Sequence, residues 1–303
     1  MNFNKTRFLS YFTRHCFSTK PAHLSFIYVP STNPNPNYTM VWLHGLFGNA
    51  KNFKTNMTHP SITSQVESYS LDLRNQGDSE HRKTMTYAEV AEDVYSFILR
   101  RHLQNVILLG HSYGARVAMK LLTRHPNDFK AAIIADMAPY DYWGDKEYVY
   151  IRGLKRIIGD LLKADLHKNK EAIRRDFEII SGDRDIALSL IGAIEKDPEG
   201  GFKWKANLET IYENFSQYIV GDLFSDHDPY AQKFKGPVKV IYGGKSDYVI
   251  PKSIPSFHTV FENFDEKRDM VELPDCGHFV HFERPEEFSR EVANFLSSLN
   301  SRT

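Results

Sequence analysis

The stretch LLGHSYGARVAM, residues 108–119, sets a serine between two glycines where an apolar run gives way to a helical pattern. NVILLG (105–110) has the composition of a buried strand closed by glycine, and YGARVAMKLL (113–122) has the spacing of a helix. A serine at that junction, inside G-x-S-x-G, reads as a nucleophile elbow. Gly110 and Gly114 leave room for a turn that crowds the backbone on both sides. Ser112 then stands at a helix N-terminus, where free amides and the helix dipole favour developing negative charge.

The alternation continues outward from this point. TMVWLHG (39–45), VESYSLDLR (66–74), AAIIADMAP (131–139) and PVKVIYGG (237–244) read as further buried strands. TYAEVAEDVYSFILRRH (86–102) places Val90, Val94, Phe97, Ile98 and Arg101 at helical spacing. Parallel strands need such crossovers, so the chain is expected to be an α/β protein, a mostly parallel sheet with helices on both faces. After Tyr140 the pattern breaks for roughly ninety residues that are charged, helix-rich and poor in strand signals. Because a structureless loop of that length is improbable, the expectation is a helical cap over residues 140–235, inserted into a core formed by 23–139 and 236–303. Its charged runs read as solvated helix faces.

Composition narrows the function classes. A chain of 303 residues with 41% hydrophobic residues can bury a full core with an insertion. Lysine plus arginine and aspartate plus glutamate both total 38, so nothing implies a basic surface for nucleic acid. No stretch reaches the roughly 18 consecutive apolar residues of a transmembrane segment, and a soluble protein is expected. Cys16 and Cys276 cannot build a disulfide framework. Residues 1–22 carry Lys5, Arg7, Arg14 and Lys20, while the first acidic residue is Glu67. Phe3, Arg7, Phe8, Tyr11 and Arg14 can form a helix with an aromatic and a basic face, the make-up of a mitochondrial targeting segment.

A serine hydroxyl needs a general base, and the base needs an acid to hold its tautomer. VELPDCGHFVHFERPEEF (271–288) supplies His278 on a loop before the last helix; its rival, His281, starts the next element and reads as structural. Two aspartates end strands on the correct side of the sheet. Asp247 in YGGKSDYVIP (242–251) is the preferred acid, and Asp136 in IIADMAP (133–139) is the alternative. The oxyanion would be held by the amides of Tyr113 and Leu46, the latter in LHGLFGN (43–49). His44 reads as a brace for that loop and Cys276 as a structural thiol. No metal site is expected, since His278 and His281 lack further ligands, and no cofactor is needed.

WLHGLFGNAKNF, LDLRNQGDSEH, LLGHSYGARVAM, IADMAPYDY and GHFVHFERPEEF together resemble the α/β-hydrolase superfamily, and most closely the branch of α/β-hydrolase domain-containing protein 11 and its bacterial esterase relatives. The resemblance runs from about residue 24 to residue 299. It implies the α/β-hydrolase fold, a serine–acid–histidine hydrolase acting on a small-molecule acyl ester or thioester substrate, and mitochondrial placement in its eukaryotic members. It also implies that the acid of this branch often sits on the earlier strand, which raises the claim of Asp136. Two positions depart from the branch pattern: Gln76 stands where its RNHG has histidine, and Ala115 replaces the second of two glycines. The Arg74, Asp78 and His81 segment reads as a polar brace. An acyltransferase would look the same in sequence, and a hydrolase fold retired to an assembly role beside a mitochondrial complex is the alternative outside catalysis.

Overall fold

A computed structural model describes residues 20–225, 228–229 and 231–301; the basic leader up to residue 19 lies outside them. The chain enters through β1 (Phe26–Val29) and β2 (Tyr38–Leu43), then β3 (Val66–Leu71) and helix α1 (Tyr87–Arg100). β4 (Val106–His111) leads into α2 (Tyr113–Arg124), and α2 into β5 (Phe129–Ala135). Four helices follow: α3 (Val149–Leu161), α4 (Lys170–Ser181), α5 (Arg184–Gly192) and α6 (Leu208–Tyr218). Between α5 and α6 lies a hairpin of β6 (Ile194–Lys196) and β7 (Phe202–Trp204), which the strand-poor reading of this region did not anticipate. The chain then returns as β8 (Val238–Gly243) and β9 (Met270–Leu273) and ends in α7 (Pro285–Asn300).

The strands other than β6 and β7 form one sheet in the order β1-β3-β2-β4-β5-β8-β9. Only the β1–β3 pair is antiparallel. This is the mostly parallel sheet expected from the motifs. All six residues of β2 and of β4 are buried, as strands covered on both faces must be. Their side chains divide by the period of two. Val41, Leu43 and Leu108 join one cluster with Val90 and Val94 of α1 and Leu121 of α2; Trp42, Ile107 and Leu109 join the other with Phe53, Phe288, Val292 and Leu296. The last three residues recur every four positions along α7, which makes its buried stripe.

Helix α1 starts at a capping box. The Thr86 hydroxyl accepts from the Glu89 amide at 3.2 Å, and the Glu89 carboxylate accepts from the Thr86 amide at 3.0 Å; such caps are worth about 0.5–2 kcal/mol. Arg74, after β3, grips Asp93 of α1 with two hydrogen bonds of 2.6 and 2.9 Å, both groups being buried. Asp78 and His81 reach the other way. Both meet Lys205 at the end of β7, Asp78 through its ammonium at 2.6 Å and His81 through its carbonyl at 3.1 Å.

Because β2, β4, β5, β8 and β9 run parallel, their C-terminal ends share one rim of the sheet. In open α/β sheets, ligands bind at that rim. The chain leaves the sheet for the α3–α6 segment at that rim; after α6 it runs back along α2, where the Gln232 amide donates to Thr123 O at 2.8 Å, and enters β8 from the opposite rim.

Candidate active site

The junction after β4 is as tight as its sequence suggested. Ser112 has φ 53° and ψ −120°, a conformation that costs a non-glycine residue about 1–3 kcal/mol and persists only where its surroundings impose it. Those surroundings explain the two glycines. A Cβ on Gly110 would sit 2.6 Å from the Ala115 nitrogen, and one on Gly114 would overlap the Leu43 carbonyl oxygen. The turn is pinned by the Ser112 amide, which donates to Ala135 O at 3.0 Å.

Ser112 Oγ lies 2.8 Å from Nε2 of His278, and His278 Nδ1 lies 2.6 Å from Oδ2 of Asp136. With Nδ1–H donating to the carboxylate, Nε2 is left as the acceptor for the serine hydroxyl. Asp136 follows β5 directly and is fully buried. Its Oδ1 accepts from the Gly243 amide at 3.0 Å and its Oδ2 from the Ser246 hydroxyl.

The carboxylate that meets His278 is thus Asp136 and not Asp247, the acid preferred from the sequence. Asp247 is exposed on the wall of the same cavity, and no hydrogen bond or ion pair joins it to His278. The reason is the turn after β8: it aims Ser246, not Asp247, inward, and uses that hydroxyl to hold the Asp136 carboxylate. The ring of Tyr248 lies 4.2 Å, centroid to centroid, from that of His278.

The loop carrying His278 is held from several sides. The Glu283 carboxylate accepts from the amides of Gly277 and Phe279 at 2.7 and 3.0 Å. His111 Nε2–H donates to the His278 carbonyl at 2.8 Å. Burial, reinforced by the neighbouring His281 and His278, pushes the His111 pKa well below the usual histidine range, which keeps it a neutral donor. His281 is buried too, and burial lowers its pKa to about 3; it packs on Phe53 and His111 and does not reach Ser112. The Cys276 thiol is pushed up to about 12 by burial and is no thiolate at neutral pH.

The loop after β2 comes against the same turn. A Cβ on Gly45 would lie 2.9 Å from His111 Nδ1 and 3.1 Å from Ser112 Cβ. The backbone N–H groups of Leu46 and Tyr113 have no hydrogen-bond partner among the described residues, and both residues line the cavity beside Ser112. Phe47 has φ 61°, and its N–H donates to Gln76 Oε1 at 2.7 Å. Gln76 thus fixes the Leu46 loop from the neighbouring strand end. Buried His44 accepts from the Leu73 amide at Nε2 (3.0 Å) and donates from Nδ1 to the Gly45 carbonyl (2.7 Å).

Sequence reasoning passed over Ser246, His111, Glu283 and the bracing role of Gln76. Each acts through a contact between residues far apart in the chain. Only Gln76 left a trace, as a departure from the branch pattern.

A cavity of about 420 Å³ opens over Ser112 and His278. Its far wall is apolar and comes from the inserted helices: Leu154, Ile157 and Leu161 of α3, Leu190 of α5 and Phe215 of α6. No helix among the described residues is long and apolar enough to cross a membrane.

Comparison with known proteins agrees with this architecture. The model of the alpha/beta hydrolase family matches residues 40–291. The chain is 26% identical over 260 residues to the sn-1-specific diacylglycerol lipase ABHD11 of Danio rerio, covering 85% of this chain and 78% of that one. It is 29% identical over 274 residues to a probable alcohol acetyltransferase of Saccharomyces cerevisiae, covering 86% and 78%. Among solved structures, a marine microorganism esterase superposes with a TM-score of 0.80 at 27% identity, over 90% of this chain and 99% of that one.

Proposed function

This chain belongs to the alpha/beta hydrolase family, and from that premise we propose that it is a serine hydrolase of carboxylic esters or thioesters, working through an acyl-enzyme on Ser112. The observation that carries the reading is the unbroken line from Asp136 through His278 to Ser112, with contacts of 2.6 and 2.8 Å. It joins a strained nucleophile, a base in the correct tautomer and a buried carboxylate.

As the Ser112 oxygen bonds to the acyl carbon, its proton passes to His278 Nε2. The imidazolium that forms is stabilised by Asp136, whose carboxylate stays ionised. The acyl oxygen takes up negative charge within reach of the Leu46 and Tyr113 amides, which the N-terminus of α2 reinforces. His278 returns the proton to the departing alcohol or thiol. A water then enters, gives its proton to His278 as its oxygen bonds to the acyl carbon, and the acid leaves as Ser112 regains its proton. The apolar wall over the site suits the hydrocarbon part of an acyl group.

A second reading has support of its own. An alcohol that outcompetes water at the acyl-enzyme makes an ester, and one relative bears the name probable alcohol acetyltransferase. Placement in the mitochondrial matrix rests on the basic leader.

The test is labelling of the protein from residue 20 onward with a fluorophosphonate, beside hydrolysis of p-nitrophenyl esters with and without added ethanol. Labelling and turnover that vanish in Ser112→Ala support the reading, and an ethyl ester appearing at the expense of acid shifts it to acyl transfer. A folded protein that neither labels nor turns over would overturn both.

A further inference from the structure

Arg116 is a fully buried guanidinium one helical turn after Ser112. Its own N–H donates to the Ser112 carbonyl at 3.2 Å. A buried charge is normally paired with an opposite one, yet none of the ion pairs among the described residues involves Arg116. Backbone carbonyls and one phenol surround it instead. Nη1 donates to Ala138 O at 3.0 Å and to Tyr140 O at 2.8 Å, Nη2 donates to Gly221 O, and Nε donates to the Tyr87 hydroxyl at 2.7 Å. The rings of Tyr87 and Tyr142 flank it at 5.1 and 5.7 Å.

The carbonyls belong to two crossings. Ala138 and Tyr140 lie where the chain leaves the core for the α3–α6 segment, and Gly221 lies where it comes back. The two crossings also touch each other, the Trp143 amide donating to Val220 O at 3.2 Å. From the outgoing crossing a relay runs to the base: the Ala138 amide donates to the Tyr142 hydroxyl at 3.0 Å, and that hydroxyl donates at 2.6 Å to the carbonyl of Tyr248, whose ring lies 4.2 Å from that of His278.

We propose that Arg116 is a positioning residue, a clasp that ties both ends of the inserted helical segment to the nucleophile helix and so sets the distance between Ser112 and the apolar wall. The reacting groups sit on the core, whereas Leu154, Ile157, Leu161, Leu190 and Phe215 hang from the two crossings that Arg116 holds. A planar fork with several donors suits this task, because three carbonyls from the two crossings converge on it. A lysine ammonium keeps the charge but cannot match that fork. Loosening the clasp leaves the chemistry at Ser112 in place and lets the wall drift, which matters for long acyl groups and little for acetyl.

The experiment compares wild type with Arg116→Lys in the full chain by two readouts. The first is hydrogen exchange of the amides in α3 and α6 against those in β4. The second, which rests on the serine-hydrolase reading, is kcat and KM for acetyl and octanoyl p-nitrophenyl esters. Arg116→Lys is expected to exchange at least tenfold faster in α3 and α6 with β4 unchanged. It should also lower the octanoyl-to-acetyl ratio of kcat/KM at least tenfold, through KM. Unchanged exchange in the inserted helices, or an equal loss of kcat on both esters, would overturn the proposal. Should wild type hydrolyse no ester, the function reading falls and exchange alone decides the clasp. If Arg116→Lys does not fold, Tyr87→Phe, which removes only the hydroxyl on Nε, carries the same comparison.

Discussion

Replacing Asp136 by asparagine should reduce turnover by about four powers of ten, while Asp247→Asn should change it less than about threefold. The magnitude follows from the contacts of the carboxylate. Its two oxygens accept three hydrogen bonds, from His278 Nδ1, the Gly243 amide and the Ser246 hydroxyl. An amide has one accepting oxygen. If its NH2 faces His278, two donors collide, the imidazole takes the other tautomer, and Nε2 carries a hydrogen where Ser112 needs an acceptor. If its NH2 faces the other way, it meets the Gly243 N–H. In either case the imidazolium loses its counter-charge. That charge is worth about 4 kcal/mol for centres about 4 Å apart at an effective dielectric constant of about 20. With the misdirected tautomer added, a loss of about 5 kcal/mol in the barrier is expected, which is about 10⁴-fold at 1.36 kcal/mol per factor of ten. Asp247 is exposed and makes no hydrogen bond or ion pair with His278 or Ser112, so its variant is the internal control. The assay is p-nitrophenyl acetate turnover, with folding of each variant checked by circular dichroism. Equal losses in the two variants, or a folded Asp136→Asn retaining a tenth of wild-type turnover, would refute the assignment of the acid.

Three further outcomes are expected. Gln76→Ala frees the Phe47 amide and with it the Leu46 loop; kcat should fall at least about fivefold, in line with about 1–3 kcal/mol for an orphaned buried donor, and a loss confined to KM would contradict the bracing role. Gly114→Ala drives a Cβ into the Leu43 carbonyl and should lower stability by about 3 kcal/mol or more, read from the urea midpoint; a wild-type midpoint would show that the turn can relax. His281 has a native pKa of about 3 and an unfolded one near 6.5, so the unfolded chain binds its proton more tightly, and stability falls as pH drops below about 6.5 until the loss is complete near 3. By pH 5 this amounts to about 2 kcal/mol, and His281→Leu should shrink the difference between urea midpoints at pH 7 and pH 5 accordingly; an unchanged difference would mean that other groups set the acid limb.

Local patterns carried the fold. The apolar runs of β2, β4, β5 and β8 and the spacing in α1 and α2 are one-dimensional signals, because a buried parallel strand must be apolar throughout and a helix repeats every 3.6 residues. The elbow was legible for the same reason: Gly110 and Gly114 record a steric demand of the turn at their own positions. Position in the motif likewise singled out Ser112, His278, Leu46 and Tyr113. The short β6–β7 hairpin escaped, although the run DPEGG (197–201) between its strands is rich in turn residues, because three-residue strands are too brief to show a period.

Which carboxylate faces His278 was not legible, since Asp136 and Asp247 both follow apolar strands and differ only in where the β8 turn points Ser246. Arg116 was equally hidden. In the sequence it is one more cation on a helix; only in three dimensions do carbonyls 22, 24 and 105 residues away converge on it. The sequence by itself determined the strands, the helices and the turn that raises Ser112, because those depend on neighbours in the chain. The tertiary structure decided which carboxylate meets His278, the braces on the loops and the wall of the cavity, because those depend on groups that only the packed sheet and the inserted helices bring within hydrogen-bond reach.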